Sequence, residues 1–408
     1  MQTLFTNARI LDPAASAPAE GNVLVEDGII KDLGARAVAA PDRLVIDLKG
    51  RTLMPGLIDC HVHVVAHQMN LAANSLVPDA LAVMRSLPVM KGMLDRGFTT
   101  VRDVGGAPYS LVEAVEEGLA PAPRLVVCGK ALSKTGGHVD LRPRHDTHDP
   151  NRNNRNFGAL GRVVDGTDAV RKACRQELRQ GAHFIKIMAN GGVASPTDPV
   201  AWQGYSAAEM QAAVEEAEDA QTYVAAHLYT ADAITRAVAA GVHSLEHCNR
   251  IDAAAARQAA ARGCVAVPTL VTYEALAEDG PGFGFPPGSI AKIADVREAG
   301  MQSLSILQDA GVTMAYGTDL LGPTHRRQNE EFAIRARVLP SRDILASATT
   351  IAARLLRMEG KIGTVAPGAY ADLLVVDGDP AEDVTILARP ERFLLVMKAG
   401  AVHRSNLG

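Results

Sequence analysis

Between residues 55 and 358 the hydrophobic pattern of the chain switches repeatedly between that of a buried strand and that of an amphipathic helix. Eight apolar, β-branched runs have the first character: LMPGLIDCHVHV, TTVRDVGG, RLVVCGKALS, FIKIMANGG, TYVAAHLY, HSLEHC, CVAVPTL and TMAYGTDL. Most are separated by alanine-rich segments with helical spacing, such as SAAEMQAAVEEAEDAQ and TADAITRAVAAG, the latter closing on a glycine suited to a helix C-terminus. Eight strand and helix repeats over this length predict an α/β fold of the (β/α)8 TIM barrel kind, with functional groups at the C-terminal ends of the strands.

The two ends of the chain break this rhythm. ARILD, NVLVEDGIIKDLG and RLVIDLKGRTLMPG near the start, and GTVAPGAYADLLVVDGDP and FLLVMKAGAVHR near the end, are short β runs punctuated by turn signals. They predict one small β-sandwich domain built from both termini, residues 1–54 and 359–408, with a barrel of residues 55–358 inserted between them. Chain termini often lie close together, so this needs no special pleading.

Composition narrows the partners. The chain has 408 residues, 47% of them hydrophobic, and can bury a large core. Its net charge of -5 comes without a basic cluster or acidic tail, so neither nucleic acid nor a membrane surface is expected, and a small-molecule ligand is. Cys60, Cys128, Cys174, Cys248 and Cys264 are odd in number and lack CxxC spacing, which argues against a disulfide framework and for a reducing compartment. MQTLFTNARILDP lacks the features of a signal peptide, and no run approaches the ~18 apolar residues of a membrane span, so a cytoplasmic location is expected.

Six polar side chains close the apolar runs: His61, His63, Lys186, His227, His247 and Asp319. In a barrel all six converge on one mouth. Residues i and i+2 of a strand share a face, so His61 and His63 reach one ion together. Imidazole nitrogen is a good zinc ligand, and a histidine pair with a carboxylate leaves coordination open for water. One histidine beside an apolar run is usually a hydrogen-bonded core residue; four, with a strand lysine and a strand-end aspartate in this order, point to a metal centre. His67, His145, His148, His183, His243, His325 and His403 lack the pattern and are read as surface groups or supports of the ligands.

Lys186 needs its own account. An ammonium buried beside cations is costly. A neutral amine that adds carbon dioxide becomes an anionic carbamate able to bridge two metals, whereas a lysine snorkelling outward is the bland alternative. GGVASPTDP lacks the GK[ST] ending of a phosphate loop and is read as a mobile loop at the mouth.

PGLIDCHVH, FIKIMANGG, AAHLYT, SLEHCN and YGTDL, framed by termini ending in PGAYADLLVVDGDP, resemble the amidohydrolase superfamily over essentially the whole chain. TTVRDVGG, SKTGGHVDLRP and MANGGVASPTDP resemble its imidazolonepropionase-like branch, which contains Xaa-Pro dipeptidases and related binuclear-zinc carboxypeptidases. The resemblance implies two divalent ions, most simply Zn2+: His61, His63 and Asp319 on one, His227 and His247 on the other, and N-carboxylated Lys186 bridging them. It implies hydrolysis of a dipeptide or N-acyl amino acid by a bridging hydroxide, with Asp319 as general base and then acid, and His138 and Tyr229 on the substrate carbonyl and carboxylate. Arg142, near His138, is a candidate partner for a substrate carboxylate. The alternatives are an aromatic N-acyl amino acid of the ochratoxin kind, a cyclic amide such as an imidazolone, and a non-enzymatic scaffold, against which the full ligand set counts. Deaminases of the superfamily replace the bridging lysine and place a glutamate just after the fifth-strand histidine, where this chain has Leu228, Tyr229 and Thr230. A homo-oligomer is also expected.

Overall fold

The β runs at the start of the chain form five strands: β1 (Gln2–Ile10), β2 (Ala19–Glu26), β3 (Ile29–Leu33), β4 (Arg43–Asp47) and β5 (Thr52–Pro55). The middle segment carries β6 (Leu57–Val62), β7 (Phe98–Asp103), β8 (Arg124–Val127), β9 (Ala131–Ser133), β10 (Gly161–Val163), β11 (Ile185–Met188), β12 (Val224–Thr230), β13 (Ser244–Arg250), β14 (Val265–Val267) and β15 (Thr313–Met314). The last segment supplies β16 (Leu373–Val376), β17 (Phe393–Lys398) and β18 (Ala401–Ser405). The computed structural model describes residues 2–34, 37, 41, 43–285, 287–290 and 292–407.

Both chain ends enter one sheet, in the order β18-β17-β16-β5-β1-β2-β3, with β4 beside β1. The seam is β5 against β16, antiparallel with Leu53 opposite Val375 and Met54 opposite Leu374. Successive side chains of a strand face opposite sides. Leu53, Leu373 and Val375 accordingly pack with Phe5, Val23 and Val25 on one face, while Met54, Leu374 and Val376 join Phe98, Tyr316 and Phe332 on the other.

The middle strands are all parallel, in a three-stranded sheet β6-β7-β8 and a seven-stranded sheet β10-β9-β11-β12-β13-β14-β15. Backbone bonds join the two: Cys60 N–H donates to Tyr316 C=O at 2.8 Å, and His183 N–H, ahead of β11, to Val127 C=O of β8 at 2.8 Å. Each of the eight runs read from the sequence carries a strand, but LMPGLIDCHVHV spans the end of β5 as well as β6, and RLVVCGKALS carries both β8 and β9. Gly129, at φ +69°, turns the chain between β8 and β9, where the Glu177 carboxylate lies so close that a Cβ would sit 2.2 Å from it. TMAYGTDL is strand only at its first two residues and continues as irregular backbone to Asp319.

Helix starts pin the strand ends. Thr230 closes β12 and its hydroxyl accepts from Ala233 N–H, capping helix Ala231–Ala239, which buries Ala233, Ile234, Ala237 and Val238 on one stripe. Ser206 and Glu209 form a capping box on helix Ala207–Asp219. The five cysteines are free and buried. Among the described residues no helix is long and apolar enough to cross a membrane.

Candidate metal centre

His61 is the penultimate residue of β6, His63 lies just past its end, His227 and His247 in β12 and β13, Lys186 in β11, and Asp319 in the segment after β15; together they line one cleft. Asp319 is drawn onto β6 by its N–H, which donates to His61 C=O at 2.8 Å. Its Oδ1 then stands 3.4 Å from His61 Nε2 and 3.3 Å from His63 Nε2, and its Oδ2 3.9 Å from His247 Nδ1. His247, Cys248 and Asp319 all adopt left-handed backbone, at φ +69°, +58° and +54°. Such conformations cost non-glycine residues about 1–3 kcal/mol each and cluster at functional sites. Here they re-aim His247 and Asp319.

The four imidazoles share one bonding logic. His61 Nδ1 meets Glu246 Oε2 at 2.7 Å, His63 Nδ1 meets Gly105 C=O at 2.9 Å, His227 Nε2 meets Gly191 C=O at 3.2 Å and His247 Nδ1 meets the Thr269 hydroxyl at 2.8 Å. Carbonyl and ionised carboxylate oxygens only accept, so at His61, His63 and His227 these nitrogens carry the protons and the others keep lone pairs, while the Thr269 hydroxyl both donates and accepts and suits either tautomer of His247. Metal-binding histidines use their second nitrogen in this way. The His227 Nδ1 lone pair faces His247 Nε2 at 2.8 Å, a pair that the His247 ring proton or a shared cation holds together. Burial holds both rings well below the usual histidine range, with His138 adding to this at His227 and His61 at His247. One ligand atom each from His61, His247 and Asp319 lies within 4.8 Å of the others. The Lys186 side chain is 2% exposed, and no described residue gives its Nζ a hydrogen bond or ion pair. Burial pushes its amine down; Glu246 opposes this. Four converging imidazoles, three with a lone pair fixed towards the centre, a carboxylate and a partnerless amine fit a divalent-cation centre.

Sequence reasoning missed what lies beneath. Arg102 donates to Glu246 Oε1 and Oε2 at 2.8 and 3.0 Å and to Cys60 C=O at 2.6 Å, while Ser244 Oγ donates to Glu246 Oε1 at 2.6 Å. Burial alone raises Glu246, but Arg102 and Lys186 outweigh it and hold the carboxyl far below its ordinary value. Asp103 accepts from Val64, Gly105 and Ala107 N–H at 2.7, 3.0 and 3.2 Å, shaping the backbone that holds His63. His325 is buried and bonds Ala66 C=O through Nε2 at 3.1 Å, a support of the loop after His63 rather than a surface group. The only available signal was a charge inside an apolar run, as in TTVRDV and SLEHC.

His138 and Tyr229 both reach the cleft. The His138 ring stacks on His227 with centroids 4.1 Å apart. Tyr229 stacks on His247 at 5.3 Å and accepts from the Tyr273 hydroxyl at 2.9 Å, leaving its own O–H to donate. Burial raises its hydroxyl, which therefore stays protonated. Arg142 also lines the cleft, with three of its five N–H groups engaged: Nε and Nη2 bond Asp140 at 2.7 and 2.6 Å and Nη1 bonds His148 C=O at 2.6 Å. The loop after β11 is gathered by Lys292 Nζ, which donates to Gly192, Ser195 and Asp198 C=O at 2.9, 2.8 and 3.0 Å.

Residues 52–402 match the sequence model of the family described as Amidohydrolase family. The chain belongs to that family. This amidohydrolase is a hydrolytic enzyme, and its fold is shared with solved relatives over its whole length. A prolidase solved in complex with N-methylphosphonate-L-proline is 49% identical, with a TM-score of 0.97 over 99% of this chain and 100% of that one. A Xaa-Pro dipeptidase solved with methionine bound in its active site is 29% identical, with a TM-score of 0.88 over 99% and 100%. The ochratoxinase of Aspergillus niger is 28% identical over 423 aligned residues, 97% of this chain and 86% of that protein.

Proposed function

We propose that this amidohydrolase is a binuclear-metal dipeptidase of the Xaa-Pro type, cleaving an amide bond to release a C-terminal amino acid. The observation that carries the reading is the bonding of the four histidines, each tied through one nitrogen to a carbonyl, carboxylate or hydroxyl and turning the other to a shared centre. The similarity to a prolidase over the full chain supports the substrate class. In this reading the two parallel sheets are arcs of one (β/α)8 barrel of residues 55–358, and residues 1–54 and 359–408 form a terminal β-sandwich domain.

His61, His63 and Asp319 would hold one ion, His227 and His247 the other, with Lys186 carboxylated between them. Zinc suits this nitrogen-rich set. When bound, two such ions supply an activated water at neutral pH and polarise the scissile carbonyl. Asp319 Oδ2 takes the proton of the attacking water and hands it to the leaving nitrogen. The Tyr229 O–H and the His138 ring orient the substrate carbonyl and carboxylate. Arg142, forked onto Asp140 at the cleft wall, is a candidate partner for the substrate carboxylate through its remaining N–H groups.

A second reading keeps the same chemistry and changes the acyl group. The cleft has Leu71, Leu76, Val139, Val193, Leu276 and Leu321 among its walls, which suits an apolar or aromatic acyl group of the ochratoxin kind. Assay of the zinc-loaded protein against Xaa-Pro dipeptides, other dipeptides and aromatic N-acyl amino acids separates the two. Fastest kcat/KM on Xaa-Pro supports the first reading; a preference for aromatic N-acyl amino acids supports the second, and no hydrolysis of any member refutes both.

A further inference from the structure

The loop that follows β11 is built around His138, a residue from a distant part of the chain. His138 Nδ1 lies 2.7 Å from Ser195 Oγ. Ser195 Oγ donates in turn to Asp198 Oδ1, and Asp198 Oδ2 stands 3.5 Å from the same Nδ1. Ser195 and Asp198 are 0% and 1% exposed, so neither belongs to a solvated surface pair. A carboxylate only accepts, so the serine proton is committed to Asp198 and its oxygen is left to receive the Nδ1 proton. Nε2 is then the ring nitrogen left for a substrate.

Three further contacts fix the arrangement. Gly192 N–H donates to Asp198 Oδ2 at 3.0 Å. A Cβ on Gly192 would lie 1.9 Å from the His138 ring, so the loop makes room for the imidazole only because a glycine stands there. Lys292, from outside the loop, gathers the carbonyls of Gly192, Ser195 and Asp198. The ring is thereby set in its stack on His227, 16° from parallel.

We propose that Ser195 and Asp198, in a loop clamped by Lys292, are positioning residues that set the orientation of His138 over the cleft. This rests on the reading of the cleft as an amide hydrolase. A group displaced by about 1 Å can lose on the order of 100-fold in rate. Ser195→Ala and Asp198→Asn are therefore expected to lower kcat towards that extent while KM changes less than about threefold and metal content is unchanged. Each is also made in a His138→Ala background, where it should cost nothing further. A role limited to loop shape predicts the same loss in both backgrounds, and that result, or a loss of metal in both variants, overturns the proposal. Two variants are used so that misfolding of one leaves the other to decide. A wild type that hydrolyses no amide refutes the functional reading instead. The placement is then decided by crystal structures of zinc-loaded Ser195→Ala and Asp198→Asn: a ring displaced from its 4.1 Å stack supports it, and a ring unmoved in both overturns it.

Discussion

Lys186 is the side chain whose surroundings demand most explanation. It is buried, its amine has no partner among the described residues, and desolvation opposes its charge. Lys186→Ala is expected to reduce the metal bound from two ions per chain to one or none and to abolish hydrolysis, as read by metal analysis beside the dipeptide assay; two ions with retained activity would remove its bridging role. Asp319→Asn keeps an oxygen near His61 and His63 but cannot take a proton, so kcat should fall by roughly 10²- to 10⁴-fold with metal partly retained. Glu246→Ala leaves the Arg102 guanidinium buried without its carboxylate, and breaking such a pair costs about 3–5 kcal/mol; a urea denaturation midpoint close to that of the wild type would show that the pair carries little. The cluster was legible because histidines at the ends of apolar runs are conspicuous. Glu246 was not, because strict alternation would put it and its neighbour His247 on opposite faces. Only the left-handed backbone at His247 lets both serve the same interior.

Strands and loops repeat the lesson with backbone in place of side chains. β5 hands the chain to β6 through Gly56, where a Cβ would lie 2.1 Å from Thr99 Oγ1. Gly56→Ala should therefore cost about 1–3 kcal/mol, the usual range for overpacking, with the loss visible in the chemical unfolding midpoint. Asn190 ties the loop after β11 to the end of β12: its Oδ1 accepts from Tyr229 and Thr230 N–H at 2.9 Å each, and its Nδ2 donates to Val200 and Trp202 C=O at 2.8 and 2.6 Å. The alternation of strand and helix was readable because hydrophobic period survives in any one segment. The break inside RLVVCGKALS was not, since it depends on Glu177 packing against Gly129 from a helix dozens of residues away.

For the chain taken together, metal and stability are linked. A cation that binds only the native state adds to its stability, so stripping metal should lower Tm and re-adding zinc should restore it; a Tm indifferent to chelator would count against a bound centre. The metal-free protein should also be sensitive to acid. His227 and His247 are held well below the unfolded histidine value, mainly by burial. Below about pH 6.5 the unfolded chain binds protons that these native rings refuse, so stability falls with pH by up to about 1.4 kcal/mol per unit for each ring. His63 acts in the opposite sense: burial lowers it, but Asp319 and its neighbours raise it overall. Its contribution is full below about pH 6.5 and fades above. Burial depresses His67, His183, His243 and His325 as well, so six lowered rings outweigh one raised and Tm measured without metal should drop between pH 7 and pH 5. What the sequence determined alone was the succession of strands and helices and the donor atoms at the strand ends, because period and residue type are local properties. Which nitrogen of each histidine keeps its lone pair, where Glu246 and Arg102 meet, and how Ser195 and Asp198 come to hold His138 were decided only by tertiary structure, because each depends on an acceptor or a packing neighbour brought from far along the chain.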